Sequence, residues 1–227
     1  MELQDQVNYI SSYTSKLLRR NFGRGPESCQ ATFGKSHFVL YIRGFISPME
    51  EVLLQQGQSD YVDTARSVVI GHLLEELKGV VQVTLDVEVG DYYHDWNFPN
   101  NSGMIILVLK EIETEQMTET DLNISQRLEL ETARISQLVQ KAPENLSTYP
   151  LSQKLYLVER KGILVPIEKA LISKGYTKEL IVTKDELEKS YFHRYGKFEE
   201  IFKKQISDIF IDWNIKEDKS LVGFVLK

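Results

Sequence analysis

The sequence predicts an α+β protein made of two tandem copies of one α-β-β-α-α-β-β unit. Residues 38–54 match residues 156–172 at an offset of 118. Residues 91–110 match residues 208–227 at an offset of 117. Each copy also combines apolar residues at helical spacing with runs of β-branched and aromatic residues, which favour strands. Each copy is therefore expected to form a four-stranded, mostly antiparallel sheet with helices on one face.

The matching blocks share residues with particular structural roles. A glycine, a proline, a glutamate and the chain's two tryptophans fall in register: Gly44 with Gly162, Pro48 with Pro166, Glu50 with Glu168 and Trp96 with Trp213. Two blocks in the same order at nearly the same offset indicate an internal duplication. The tryptophans are expected to anchor the core or the contact between copies. The shared glycines are expected to adopt a backbone angle, or a close approach, that other residues resist.

The repeat sets the expected domain limits. The first copy spans residues 1–113, an acidic linker spans 114–121, and the second copy spans 122–227. The first copy has 9 basic and 15 acidic residues and the second has 18 and 15, so their net charges are −6 and +3. A sheet with helices on one face leaves its other face uncovered. We therefore expect the copies to pack as a pseudo-two-fold dimer within the chain.

The elements of each copy follow from local patterns. Apolar residues share one helical face over residues 7–18 and again over 124–139, which predicts an opening helix in each copy. The β-branched and aromatic residues at 38–44 predict a strand. Closing strands are predicted at 104–109 and 221–226.

A helix start is predicted at Ser47. Ser47 suits the N-cap, Pro48 suits the first helical position, and Glu50 completes a capping box. In the second copy Val165 replaces the capping serine.

Residues 81–89 carry two conflicting signals. They alternate apolar and polar residues, which favours a strand, but the corresponding residues 197–206 have helical spacing. Because duplicated copies share a fold, the sequence favours one helix from about residue 61 into the mid-80s. A strand from near Val87 to Trp96 would follow it.

Composition limits the classes of function. The one cysteine, Cys29, fits a reducing compartment, and its position on a predicted strand favours burial over catalysis. The acidic N-terminus is unlike a signal peptide, and the longest apolar run, at 104–109, is too short to span a bilayer. A cytoplasmic protein that is not embedded in a membrane is expected. The acidic chain has no basic cluster, which argues against nucleic acid, and no cofactor motif.

The turn Gly23-Arg24-Gly25-Pro26 is the first candidate ligand site. Glycine-rich turns expose N–H groups, and Arg24 adds a positive charge that suits a small anion. The alternative is structural, with Gly23 capping the opening helix and Pro26 preventing its continuation.

A basic site is the second candidate. Arg43 and Arg66 could join Arg24, with Glu50 or Asp95 orienting them. The alternative is a set of ordinary salt bridges or a structural ion pair between helix and sheet.

An acidic segment from Asp86 to Asp95 is the third candidate. Its carboxylates and His94 are ligand types that divalent cations use, so a metal-dependent or anion-processing enzyme is one hypothesis. The alternative is a solvated acidic edge, because the second copy keeps only Asp208 and Asp212.

The first copy resembles a known bacterial family over residues 5–112. The resemblance rests on the 23–26 turn, on residues 43–50 and on Asp95. The family is named for component C of a Na-translocating membrane-potential-generating system (MpsC). The second copy departs from it, since Lys141-Ala142-Pro143 replaces the turn and Lys184 stands at the position of Arg66. The resemblance implies association with a membrane ion-transport system and no particular reaction.

The leading hypothesis is a non-enzymatic binding or scaffolding protein. It would recognise a protein partner or a small anionic ligand through the first copy, and peripheral association with a membrane system is one form of this role. The duplication and the divergence of the second copy favour it over the enzyme hypothesis.

Overall fold

The computed structural model describes residues 2–34, 36–110 and 119–227. The chain divides into two compact units, Met1–Glu115 and Gln116–Lys227. This division falls inside the predicted linker at 114–121. The second unit's first helix already begins at Glu119, so the last three residues of that linker are helical. Residues 114–118 lie outside the described residues.

The first unit has the predicted element order. Its elements are α1 (Leu3–Phe22), β1 (Ser28–Phe33), β2 (His37–Arg43), α2 (Pro48–Gln55), α3 (Ser59–Leu85), β3 (Glu88–Asn97) and β4 (Ser102–Lys110). The strands form one antiparallel sheet in the order β1-β2-β4-β3.

The second unit repeats this order with two additions, the short helix Phe198–Phe202 and a 3-10 helix. Its elements are α4 (Glu119–Val139), β5 (Asn145–Ser152), β6 (Leu155–Lys161), α5 (Pro166–Ser173), α6 (Thr177–Tyr195), α7 (Phe198–Phe202), β7 (Ile206–Asn214), a 3-10 helix (Ile215–Glu217) and β8 (Lys219–Leu226). Its antiparallel sheet has the order β5-β6-β8-β7. The predicted α+β class and the two-copy organisation are confirmed.

Helices cover one face of each sheet, as predicted. In the first unit, Ile10 and Leu18 of α1 and Leu74 of α3 share a core with Leu40 of β2. In the second unit Leu128 of α4 joins a separate core. The apolar face predicted for the opening helix is the buried face of α1. The pseudo-two-fold packing of the copies stays a prediction.

Tertiary packing decides the conflict at residues 81–89 in favour of the helix. Leu77 and Val81 are buried in the core, whereas the side chain of Val83 is 87% exposed, which is the periodicity of a helix with one buried face. Helix α3 therefore continues to Leu85, and β3 begins at Glu88, close to the predicted positions.

The second copy breaks the corresponding helix. Helix α6 ends at Tyr195 and the short α7 follows Gly196. A Cβ at Gly196 would lie 2.1 Å from the Phe198 ring and 2.5 Å from the carbonyl oxygen of Phe192. Only glycine allows this approach, which lets Phe198 enter the core.

Candidate functional site

The turn at residues 23–26 is built as a helix stop. Gly23 has φ 74°, and its N–H donates to the Arg19 carbonyl oxygen over 3.0 Å. Arg24 has a side chain that is 45% exposed, and its Nη2 lies 3.9 Å from Oε1 of Glu27. Gly25 packs against the Arg19 side chain. Pro26 is half-buried and lies between α1 and β1. These contacts are those of the structural alternative for the turn.

Arg66 lies inside the first unit and binds Glu50. Its Nε donates to Glu50 Oε1 over 2.7 Å, and its Nη2 donates to Glu50 Oε2 over 2.9 Å. Nη2 also donates to the Phe45 carbonyl oxygen over 2.8 Å. Arg66 is only 2% exposed. This two-point contact matches the planar guanidinium to the planar carboxylate.

Aromatic rings surround the Arg66 guanidinium. Its carbon lies 4.5 Å from the centre of the Trp96 ring and 4.8 Å from that of Phe45, distances that favour cation–π attraction. The rings of Phe22 and Phe98 lie within 6 Å. The crevice beside the guanidinium is too narrow to hold a water molecule. Arg66 is thus a structural cation, and Trp96 is a core anchor.

The members of the predicted basic site differ in exposure. Arg66 is enclosed, whereas Arg43 is exposed at the end of β2 and Arg24 is half exposed at the turn. Of the two expected orienting carboxylates, Glu50 binds Arg66. Asp95 is buried on β3, where its Oδ1 accepts from the Trp96 N–H.

Glu50 joins the ion pair to the start of α2. The Ser47 N–H donates to Glu50 Oε2 over 2.7 Å, and the Glu50 N–H donates to Ser47 Oγ over 3.4 Å, so the predicted capping box is confirmed. Burial raises the pKa of Glu50, but the hydrogen bonds from Arg66 and the Ser47 backbone outweigh burial and lower it. Glu50 is therefore a charged, buried anchor.

The second unit keeps this anchor with lysine in place of arginine. Lys184 Nζ lies 2.9 Å from Oε1 of Glu168, and Glu168 Oε2 accepts from the Val165 N–H over 2.8 Å. Lys184 Nζ also lies 3.0 Å from Oε1 of Glu188 and donates to Gln140. The Lys184 substitution seen in the sequence thus preserves the ion pair but not its two-point geometry.

A second buried ion pair extends this network. Arg160 Nη2 lies 2.6 Å from Oε2 of Glu188, and both side chains are almost fully buried. Arg160 also donates to the hydroxyls of Ser220 and Ser136. At the offset of 118, Arg160 corresponds to Ile42 and Glu188 corresponds to Ile70, and both isoleucines are buried in the first core. The second unit therefore carries a charged pair where the first unit carries an apolar one.

We call α2 and α5 inverted, because each of these helices buries a glutamate and exposes a large apolar side chain. In α2 the buried side chain is Glu50 and Leu53 and Leu54 are half-buried, whereas Met49 is 69% and Val52 is 58% exposed. In α5 the buried side chain is Glu168 and Ile172 is half-buried against the core, whereas Ile167 is 70% exposed. A surface helix ordinarily turns its apolar side inward. The exposed side chains from residue 49 to residue 61 are called the α2 surface, and those from 167 to 179 the α5 surface.

A polar tether fixes the chain that leads into α2. Asn101 Oδ1 accepts from the N–H groups of Phe45 and Ile46, and its carbonyl oxygen accepts from Gly44 over 2.8 Å. Gly44 has φ 67°, and a Cβ there would overlap the Glu27 side chain. The predicted special backbone of this glycine is confirmed.

The second unit has the same tether. Asp218 Oδ1 accepts from the N–H groups of Ile163 and Leu164, and its carbonyl oxygen accepts from Gly162, which has φ 66°. Sequence reasoning missed Asn101 and Asp218. The available signal was a side-chain oxygen at the same position before each closing strand.

The acidic segment of the first unit is divided rather than clustered. Asp86 ends α3 with φ 54°, and Glu88 Oε1 lies 2.6 Å from Lys110 Nζ. Along β3, alternation places His94 on the helix-covered face and Asp91 and Asp95 on the opposite face. Within the described ranges no three His, Cys, Asp or Glu side chains lie close enough to hold a metal ion. The predicted cation cluster is not assembled there.

Burial controls two further titratable groups. Burial lowers the pKa of His37, at the start of β2, to about 4, and Ser36 Oγ lies 2.8 Å from its Nδ1. Burial raises the pKa of the Cys29 thiol to about 11, which keeps it protonated near neutral pH. Cys29 packs against the first core, as predicted.

Comparison with known proteins places both units in one family. The family model described as Na+-translocating membrane potential-generating system (MpsC) matches residues 5–111 and 120–227. No curated protein and no solved structure matches the chain. In residues 2–34, 36–110 and 119–227, no helix has the length and apolar content that crossing a bilayer requires. The chain therefore belongs to the MpsC family and contains two tandem copies of its domain.

Proposed function

We propose that the chain is a non-enzymatic binding and scaffolding protein and a peripheral partner of a membrane ion-transport system. The observation that carries this proposal is the inversion of α2 and α5, each of which buries a glutamate and exposes apolar side chains. The family description, which names a Na+-translocating membrane system, supports the choice of partner.

Exposed apolar side chains on these helices provide a driving force for docking. Burying one large apolar side chain contributes about 1.5 to 3 kcal/mol. Met49, Val52 and Ile167 gain this free energy only when another surface covers them. Met49 and Ile167 are equivalent positions of the two copies, and an exposed large apolar side chain at both favours a contact role over chance exposure.

The buried anchors make these surfaces rigid. Glu50 fixes the first turn of α2 through both the Ser47 N–H and the Arg66 guanidinium. A surface held in one conformation loses less entropy on binding than a mobile one. The ion pair is therefore a positioning device for the α2 surface.

A protein partner fits better than a small anionic ligand. Arg66, the most enclosed cation of the predicted basic site, is bound to Glu50 within the unit. The α2 surface instead presents apolar side chains beside polar ones, which is the composition that protein interfaces bury.

Co-sedimentation with membrane vesicles tests the proposal. The purified chain is mixed with native vesicles from the bacterium that encodes it, with protease-treated vesicles and with protein-free lipid vesicles. Capture by native vesicles alone is expected, and Met49→Glu with Val52→Glu should reduce it at least about 10-fold, because two apolar contacts are lost.

Val83→Glu is the matched control, since Val83 is 87% exposed on α3 and outside both surfaces. It should leave capture unchanged. Equal capture by all three vesicle types, or no capture by native vesicles, would overturn the proposal.

A further inference from the structure

The α2 and α5 surfaces occupy equivalent positions and have opposite charge. Met49 corresponds to Ile167, so the apolar character is kept. Three exposed polar positions change sign or gain positive charge: Glu51 corresponds to Lys169, Gln56 to Lys174 and Asp60 to Lys178. The one change towards negative charge is from Tyr61 to Glu179, so the α5 surface has three lysines and one glutamate. The buried glutamates, in contrast, stay acidic in both units.

We infer that the α2 surface of one chain binds the α5 surface of a second copy of this chain. The inference rests on the proposed docking role of the two surfaces, and it names the partner that covers them when the chain is alone, without membranes. The charge of an acidic surface with exposed apolar side chains is complementary to that of a basic surface with exposed apolar side chains, and such complementarity selects one partner over others.

The charge change is confined to side chains that face solvent. Glu51, Asp60, Lys174 and Lys178 are all exposed, whereas the anchor beneath each helix keeps its acidic residue. Lys169 already forms a salt bridge within its own unit, because its Nζ lies 3.0 Å from Oδ2 of Asp218. Lys174 and Lys178 therefore provide the main positive charge for the contact.

Each chain offers one acidic and one basic surface, so a contact between the α2 surface of one chain and the α5 surface of a second chain is heterologous. Heterologous contacts produce closed rings when the rotation between copies closes and open arrays when it does not. Either assembly would serve a scaffolding protein.

Charge reversal with mixing tests the inference. The chain alone, without membranes, is measured by sedimentation velocity and light scattering. Wild type should associate, and raising NaCl from about 50 mM to about 500 mM should weaken the association because salt screens exposed charges.

Two variants should each stay monomeric: Glu51→Lys with Asp60→Lys, and Lys174→Glu with Lys178→Glu. In each variant the two surfaces carry the same sign, so self-association should weaken at least about 10-fold. An equimolar mixture of the two should associate again into assemblies that contain both variants in a 1:1 ratio, because the α2 surface of each variant then has the opposite charge to the α5 surface of the other. Circular dichroism and thermal unfolding confirm that each variant is folded.

Three outcomes would overturn the inference: a wild-type chain that is monomeric up to about 1 mM, reversal variants that associate like wild type, or a mixture that stays monomeric. If native vesicles capture the chain but the wild type is monomeric, the self-association inference fails and the proposed membrane role stands. If the wild type self-associates but native vesicles do not capture it, the membrane role fails and the self-association inference stands.

Discussion

Glu50 and Arg66, 16 residues apart in sequence, form a two-point ion pair in the interior of the first unit, with N–O distances of 2.7 and 2.9 Å. The pair joins the start of α2 to the first third of α3. It helps to hold a helix that exposes Met49 and Val52, because the buried charge adds to the contact of the half-buried Leu53 and Leu54.

Removing one partner of this ion pair should lower the free energy of unfolding more than removing both partners. Arg66→Met leaves the Glu50 carboxylate buried without its partner, and the free energy of unfolding should fall by about 3 to 5 kcal/mol. The double variant Arg66→Met with Glu50→Leu should lose less than Arg66→Met alone. Urea unfolding of the full chain measures both, with Arg43→Ala as the exposed control, expected within about 0.5 kcal/mol of wild type. A double variant as unstable as the single one would contradict the role of the unpaired charge.

The second buried pair can be exchanged for the apolar pair of the first unit. Glu188→Ile alone should destabilise strongly, by about 3 to 5 kcal/mol, because it leaves Arg160 without its carboxylate. Arg160→Ile with Glu188→Ile reproduces Ile42 and Ile70 and leaves the Lys184–Glu168 contact in place. That double variant should recover most of the loss, as measured by thermal unfolding. Additive losses would show that the two positions are not coupled.

His37 should make stability depend on pH between 6.5 and 4. Its folded pKa of about 4 lies below the ordinary 6.5, so the neutral form is favoured in the folded chain. Its contribution is fully present above pH 6.5 and is lost as pH falls towards 4, by up to about 3 kcal/mol. His37→Asn removes the titration and should flatten the profile of unfolding free energy across this window. An unchanged slope in the variant would assign the pH dependence to other groups.

Gly44 and Gly162 should resist replacement. Both have φ near 66°, so a branched side chain there is strained, and Gly44→Val or Gly162→Val should cost about 1 to 3 kcal/mol. Gly71 is the matched control, because it lies within α3 with open space beside it. Gly71→Ala should stabilise the chain by about 0.5 to 1 kcal/mol. Calorimetry of the variants decides, and a neutral Gly44→Val would contradict the strain argument.

Arg24 should matter little for stability. Its side chain is 45% exposed, and Nη2 lies 3.9 Å from the Glu27 carboxylate, which is a weak surface contact. Arg24→Ala should therefore stay within about 0.5 kcal/mol of wild type in urea unfolding. A loss above about 1 kcal/mol would show that the contact with Glu27 is a structural ion pair.

At residues 81–89 the local sequence pattern alone predicts the wrong secondary structure. The alternation there indicates a strand, yet the segment is helical to Leu85. Comparison with the second copy gave the correct element, even though that copy's own helix ends at Tyr195. Duplication supplied the information about tertiary context that the local pattern lacks.

The sequence by itself determined the duplication, the order of elements, the capping box at Ser47 and the special backbone of Gly44. These features depend on neighbours a few residues away or on direct repetition along the chain. The structure alone decided that Arg66 is an internal cation and not part of an open basic site. It also showed that Asn101 tethers the entry to α2 and that α2 buries Glu50 while it exposes Met49 and Val52. Burial of a charge depends on partners brought together from distant segments, and only the folded chain specifies them.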